Sequence, residues 1–159
     1  MKLKVNRKLS IKQLLNKLPF ENKYLNDKVV KSLKNEGPEE VEMEFFKPSK
    51  YLTNQEVLEE YKSRNLEPDL GALIKLLTQQ PELLEEKNYL GIQLRDNVFA
   101  YFCRRGGGRC VCVGRVAVGW SGRSWFGGRK LDSGKLGTSE SLVSWPDELV
   151  INGINYKKV

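Results

Sequence analysis

Apolar residues in this chain follow two periods, and the change from one to the other divides it. Leu3 and Val5 alternate with polar neighbours across residues 2–7 and predict a short strand. Ser10 then stands as an N-cap, and Ile11, Leu14, Leu15 and Leu18 recur at helical spacing until Pro19 stops them. Val29, Val30 and Leu33 fit a strand or a short helix equally well. Asn35-Glu36-Gly37-Pro38 marks a turn, and Val41 to Phe46 alternates as a strand ending near Pro48.

The middle of the chain is helical. Thr53 with Glu56 matches a capping box and predicts a helix over 54–64 that buries Val57, Leu58 and Tyr61. Pro68 suits the first turn of a second helix with the apolar stripe Leu70, Leu73, Ile74 and Leu77. Pro81 ends it, and residues 81–86 add one more turn. From Tyr89 the period becomes two, with strands predicted over 89–94, 98–104, 109–120 and near Trp125. Residues 132–141 read as a Gly/Ser/Thr-rich loop, and Asn152-Gly153 between short apolar runs signals a hairpin. There is no internal repeat and no linker. The expected architecture is one α+β domain over residues 1–159, with a mixed and helical part at 1–88 and a β-rich basic part at 89–159. A helical hairpin in the middle packs on a mainly antiparallel sheet concentrated in the C-terminal half.

Composition narrows the class. Hydrophobic residues make up 40% of the 159 and charged residues 30%, an ordinary globular balance. No apolar run is long enough to cross a membrane, and the N-terminus lacks the apolar core of a signal peptide. Three cysteines make no disulfide framework, so a cytoplasmic address without a membrane partner is expected.

Charge changes the picture more. Residues 1–96 hold 17 bases and 16 acids, whereas residues 97–131 hold seven bases and no acid. Nearly all of the net charge of +7 therefore lies in one window, where six of the seven bases are arginine. Arginine carries a planar fork of donors suited to phosphates, carboxylates and aromatic faces.

Three sharper readings of the motifs fail on chemistry. A helix-turn-helix over 53–78 has the wrong sign for DNA, with five acids against three bases. The loop Arg105-Gly106-Gly107-Gly108 lacks the phosphate-loop pattern and leads into a strand, so a hairpin turn is the simpler reading. In that register Phe102 faces Val111, Cys103 faces Cys110 and Tyr101 faces Cys112, which gathers three thiols on one face. Structural zinc wants four ligands in paired knuckles, and this chain has no histidine, so no metal and no cofactor are expected. The thiols read as small buried hydrophobes. A Cys103–Cys110 disulfide is sterically allowed, and a reducing cytoplasm opposes it.

What remains is a mixture of Arg, Trp and Gly. Arginines that follow a backbone and aromatics that stack on bases are what single-stranded nucleic acid requires. The candidate anion-binding residues are Arg104, Arg105, Arg109, Arg123, Trp125, Arg129 and Lys130. The structural alternative makes Trp120, Trp125 and Phe126 core residues and the arginines a solvated rim. Stacking requires exposed tryptophans, so exposure separates the two. Catalysis has little to stand on: there is no histidine, no nucleophile elbow and no dinucleotide fingerprint. The leading expectation is a non-enzymatic binding protein for an anionic partner such as single-stranded nucleic acid. The alternative is a protein–protein interaction module that binds an acidic protein or a second copy through a sheet edge, and a small enzyme using carboxylate or lysine comes third.

The order of segments carries a resemblance. Leu3-Lys4-Val5-Asn6-Arg7, the alternating 41–46 run, the helix capped at Thr53, the apolar helix over 69–78 and the Tyr/Trp-containing strands after 89 come as they do in an uncharacterised group of small predicted proteins from uncultivated, small-genome bacteria. The chain is similar to that group over most of its length through short motifs. The resemblance implies a bacterial, cytoplasmic α+β protein and transfers no functional residue. That group's C-terminal strands are rich in Trp, Tyr and Asp, where this chain has Arg and Gly.

Overall fold

The computed structural model describes residues 1–95, 97–115 and 119–131, and the backbone of 151–152 and 154–155. Caps decide where its helices start. For α1 (Ile11–Lys17), Ser10 Oγ accepts from the Gln13 amide at 3.1 Å and Gln13 Oε1 accepts from the Ser10 amide at 2.8 Å. The ambiguous Val29-Val30 segment is helix α2 (Asp27–Ser32), because Asn26 Oδ1 caps the Val29 amide at 3.2 Å. Thr53 and Glu56 form the expected box at α3 (Asn54–Ser63), with bonds of 3.2 and 2.9 Å. Helix α4 (Leu70–Gln79) begins at Asp69, whose Oδ1 accepts from the Ala72 amide at 3.0 Å. Pro68 thus lies just ahead of the cap rather than inside the first turn. A last short turn, α5, covers Leu83–Glu86.

The strands are β1 (Lys2–Lys4), β2 (Asn22–Leu25), β3 (Glu40–Phe46), β4 (Leu66–Glu67), β5 (Tyr89–Arg95), β6 (Val98–Arg105), β7 (Gly108–Arg115) and β8 (Trp125–Lys130). They form one sheet in the order β1-β3-β8-β5-β6-β7-β2, with β4 also beside β8. Only β2–β7 and β5–β8 run parallel. This is an α+β fold with a mainly antiparallel sheet, and its longest run of strands follows residue 88. The expected register across the β6–β7 turn is present, with Phe102 opposite Val111 and Cys103 opposite Cys110. Strand β2 carried no periodic signal because it is an edge strand that buries no residue fully. Two-residue strands β9 (Ile151–Asn152) and β10 (Ile154–Asn155) pair in parallel outside this sheet. One residue between them is too few for the two-residue hairpin loop that Asn-Gly signals. Gly153 itself, and the loop at 132–141, lie outside the described residues.

The two middle helices do not pack together as a hairpin. Successive residues of β8 point to opposite faces. A side chain at Gly128 would meet Tyr61 of α3 at 2.8 Å, whereas one at Gly127 would meet Leu73 of α4 at 3.4 Å. So α3 and α4 lie on opposite faces, and β4 is the stitch between them. Helix α4 is buried nearly all round and shares its face with α1. On the other face Tyr61, Phe46, Phe126 and Trp120 form one aromatic cluster, with ring centroids 5.1–6.4 Å apart. Tyr61 Oη donates to the Gly127 carbonyl at 2.7 Å from a fully buried position. No helix among the described residues is long and apolar enough to cross a membrane.

A buried ion pair ties the layers together. The side chain of Asp69 is 2% exposed. Its Oδ2 lies 2.7 Å from Arg7 Nη2 and its Oδ1 3.0 Å from Arg7 Nη1. Arg129 Nε approaches the same carboxylate at 3.6 Å. Arg7 also donates to the Pro38 carbonyl and to Asn35 Oδ1, and Asn35 in turn donates to the Asn6 and Leu9 carbonyls.

Two predictions follow from these buried groups. Asp69→Ala leaves Arg7 without its buried partner and removes the α4 cap, and is expected to cost about 3–5 kcal/mol in urea unfolding. Asp69→Asn keeps an acceptor for the cap and is expected to cost less. Burial also pushes the Tyr61 phenol far above its ordinary value. The folded state therefore holds this proton more tightly than the unfolded chain, whose tyrosines ionise near pH ~10. Stability is unaffected below that pH and falls as pH rises above it. Tyr61→Phe should cost about 1 kcal/mol at pH 7 through the lost hydrogen bond. It should also lose less stability than the parent on going from pH 9 to 11, read as the melting temperature at each pH.

Candidate functional site

The seven candidate residues fall in three places. Arg104, Arg105 and Arg109 surround the β6–β7 turn, Arg123 and Trp125 lie at the entry to β8, and Arg129 and Lys130 lie at its exit. Trp125 pairs with Leu90 while Tyr89 pairs with Cys103, so the first two groups share one end of the sheet. Arg129 lies four residues further along β8, about 13 Å away at the rise of an extended chain.

The turn is Gly106-Gly107, with φ of +62° at Gly106. A positive φ at the first central position is what a tight two-residue hairpin loop requires, and glycine supplies it without strain. The loop does not cradle an external anion through the next amide. Glu21 Oε1 accepts from the Arg109 amide at 2.7 Å, and this bond holds the Glu21 carboxyl below the usual carboxylate range. Arg104 and Arg109 are register partners on one face, and both turn to Glu85. Arg104 Nη1 pairs with Glu85 Oε1, and Arg109 Nη2 lies 3.7 Å from Glu85 Oε2.

At the far end the bases are also met by acids. The Arg129 side chain is 12% exposed and pairs with Glu67 as well as Asp69. Lys130 Nζ lies 3.5 Å from Glu44 and 3.9 Å from Glu42. Every one of these acids comes from the first 96 residues. Four of the seven bases in the basic window, Arg104, Arg109, Arg129 and Lys130, are therefore met by acids in space. Arg105 and Arg123 have no carboxylate partner among the described residues.

The tryptophans separate clearly. Trp120 is 6% exposed, and its Nε1 donates to Gln93 Oε1 at 2.7 Å. Its ring lies over Gly91, where any side chain would collide with it. Trp120 is a core residue and is not available to stack on a ligand. Trp125 is half-buried and flanked by cations, with Lys87 Nζ 4.8 Å and Lys47 Nζ 6.0 Å from its ring centroid.

The fold also brings together residues that the Arg/Trp pattern did not single out. On the face opposite α4, Tyr89, Tyr101 and Phe99 stack in a row, with centroids 5.2 and 5.7 Å apart. Tyr89 and Tyr101 are half-exposed. Tyr24 of β2 is 58% exposed and pairs with Cys112, which pairs with Tyr101 on its other side. Tyr24 and Tyr101 thus stand two strand spacings apart, about 10 Å, on one face. Arg105 belongs to this face by alternation and lies beside Tyr101 and Cys103. Alternation in β6 and β7 places Tyr101 and the cysteines there from sequence. Tyr24 needed the pairing of β2 with β7, which no local pattern encodes. Among the described residues no three Cys, Asp or Glu side chains converge in a way that holds a metal ion.

Comparison of the chain with protein-family models, with curated proteins and with solved structures finds no match.

The two tryptophans should respond differently to substitution. Trp120→Phe removes a buried hydrogen bond and is expected to lower stability by about 1–3 kcal/mol. Trp125→Phe keeps an aromatic face for the lysines and is expected to cost under about 1 kcal/mol. Urea unfolding of both variants checks this.

Proposed function

We propose that this chain is a non-enzymatic binding protein for an anionic partner, with single-stranded nucleic acid the leading case. One observation carries the reading: an open β-face bears Tyr24, Tyr89 and Tyr101 beside Arg105, an arginine with no carboxylate partner among the described residues. A sheet that presents rings next to a cation offers stacking and phosphate contact together, the combination by which single strands are bound without sequence preference. Arg123 adds a second uncompensated charge at the same end of the sheet. Arg129 and Lys130 stand outside this surface in structural pairs, and Trp125 lies on the opposite face of the sheet, because its partner Leu90 alternates with Tyr89. A protein–protein module is the second reading, because the sheet path ends at β2 with Tyr24 exposed upon it.

Fluorescence anisotropy of labelled single-stranded DNA and RNA, at low and moderate salt, tests the first reading. The expected result is binding that weakens log-linearly with salt. Arg105→Ala and Tyr24→Ala should each weaken it, Tyr24→Ala by about tenfold on the usual worth of one stacked base. Glu85→Gln should change it little, since Arg104 and Arg109, which Glu85 meets, alternate with Arg105 onto the other face of the sheet. No binding at low salt, or binding indifferent to Arg105 and Tyr24, overturns the reading in favour of a protein partner at the β2 edge.

A further inference from the structure

The β6–β7 hairpin contains a pair of thiols whose arrangement goes beyond packing and does not depend on the anion-binding reading. Cys103 and Cys110 are direct register partners on adjacent antiparallel strands. The pairs on either side of them, Phe102 with Val111 and Arg104 with Arg109, keep the same register. The tight turn at Gly106-Gly107 and the strand β2 beyond β7 hold the two backbones in place. The sulfur atoms are 2.7 Å apart, and both are free thiols, 2% and 3% exposed as residues. Directly opposed residues of an antiparallel pair have Cα atoms about 4.5–5.5 Å apart, inside the span a disulfide bridges without backbone movement. Val or Ala would fill this position as small hydrophobes do; neither would bring two oxidisable atoms into contact.

We propose that Cys103 and Cys110 form a redox-active dithiol, a site that closes reversibly to an intrachain disulfide across the hairpin by exchange with a small-molecule disulfide such as oxidised glutathione. Cys103 is the entry thiol, because Arg105 stands two residues along the same face of the same strand. The Cys103 thiolate attacks one sulfur of the small disulfide, forming a mixed disulfide and expelling one glutathione thiolate, which takes up the proton Cys103 released. The Cys110 thiol then loses its proton and attacks the Cys103 sulfur, and the second glutathione leaves as a thiol. The dithiol gives up two electrons and two protons, and the small disulfide becomes two thiols. The second step is intramolecular between atoms already in contact, so it outruns release of the adduct. Burial pushes the Cys103 thiol up to about 12, so the first step is slow at neutral pH and sets the rate. Cys112 lies on the same face opposite Tyr101, without a register partner among the cysteines, and stays reduced.

The test uses the full chain equilibrated in mixtures of reduced and oxidised glutathione, approached both from reduced protein and from protein oxidised before refolding. Intact mass and thiol counting with a maleimide reagent are read after acid quenching. The expected result is a population that loses the mass of two hydrogen atoms and two of its three thiols together, with peptide mapping that links Cys103 to Cys110. Cys112→Ser should leave this transition in place, and Cys103→Ser should abolish it and trap no stable adduct on Cys110. A folded chain that keeps three thiols from either direction, or one that stops at glutathione adducts without the internal link, overturns the proposal. Because the parent chain itself supplies the decisive reading, an unstable variant does not rescue it.

Discussion

One buried carboxylate, Asp69, holds three separate parts of the chain at a single point. It caps α4, grips Arg7 from the N-terminal segment and receives Arg129 from the end of β8. A charge removed from water is tolerated only when it is paired and its lone pairs are filled, and here cap and guanidinium fill them together. The demand runs outward from that point. Arg7 must reach the Pro38 carbonyl and Asn35, so the turn at 35–38 is drawn against the start of α4. Gly37, with φ of +138°, lies between the Arg7 and Arg129 guanidiniums where a side chain would strike both. The glycine in that turn is therefore a requirement of the ion pair as much as of the turn.

With α4 fixed on one face by this junction, β8 organises the rest. Its alternation sends Gly127 toward α4 and Gly128 toward Tyr61 of α3, and each glycine lets a bulky neighbour approach the strand closely. The aromatic cluster on the α3 face then continues through Trp120 and Phe99 to Tyr101 and Tyr89, from the buried core to the half-exposed edge of the sheet. The candidate surface is thus the outer end of the core. Arg105, the thiol pair and the tyrosine row share one face of the sheet, so anything that binds or modifies one of them acts beside the others.

Charge behaves differently in sequence and in space. Residues 97–131 contain no acid, yet Arg104, Arg109, Arg129 and Lys130 all have carboxylates close by. Glu85, Glu67, Glu42 and Glu44 arrive from helices and strands that precede the basic window. The segregation along the chain records complementarity between two parts of one fold more than an external field. The two candidate arginines that have no carboxylate partner among the described residues are the ones that distinguish a binding surface from a structural one.

Much of the local structure was legible in the residues alone. The caps at Ser10 and Thr53, the strand at 41–46, the apolar helix at 70–79 and the hairpin register at Cys103 and Cys110 rest on interactions within a few residues, or on strict alternation around a short turn. Such signals survive in one dimension because the partners are sequence neighbours. The placement of α3 and α4 on opposite faces did not survive, because it depends on β4 pairing with a strand more than sixty residues away. Tyr24 entered the candidate face only through the parallel pairing of β2 with β7, and Trp120 left it because Gln93 and Gly91 make a pocket for its ring. The sequence by itself determined the capped helices, the alternating strands, the β6–β7 hairpin and the amount of charge. Tertiary structure alone decided which charges meet carboxylates and which rings reach the surface, because both are set by contacts between residues that no period along the chain relates.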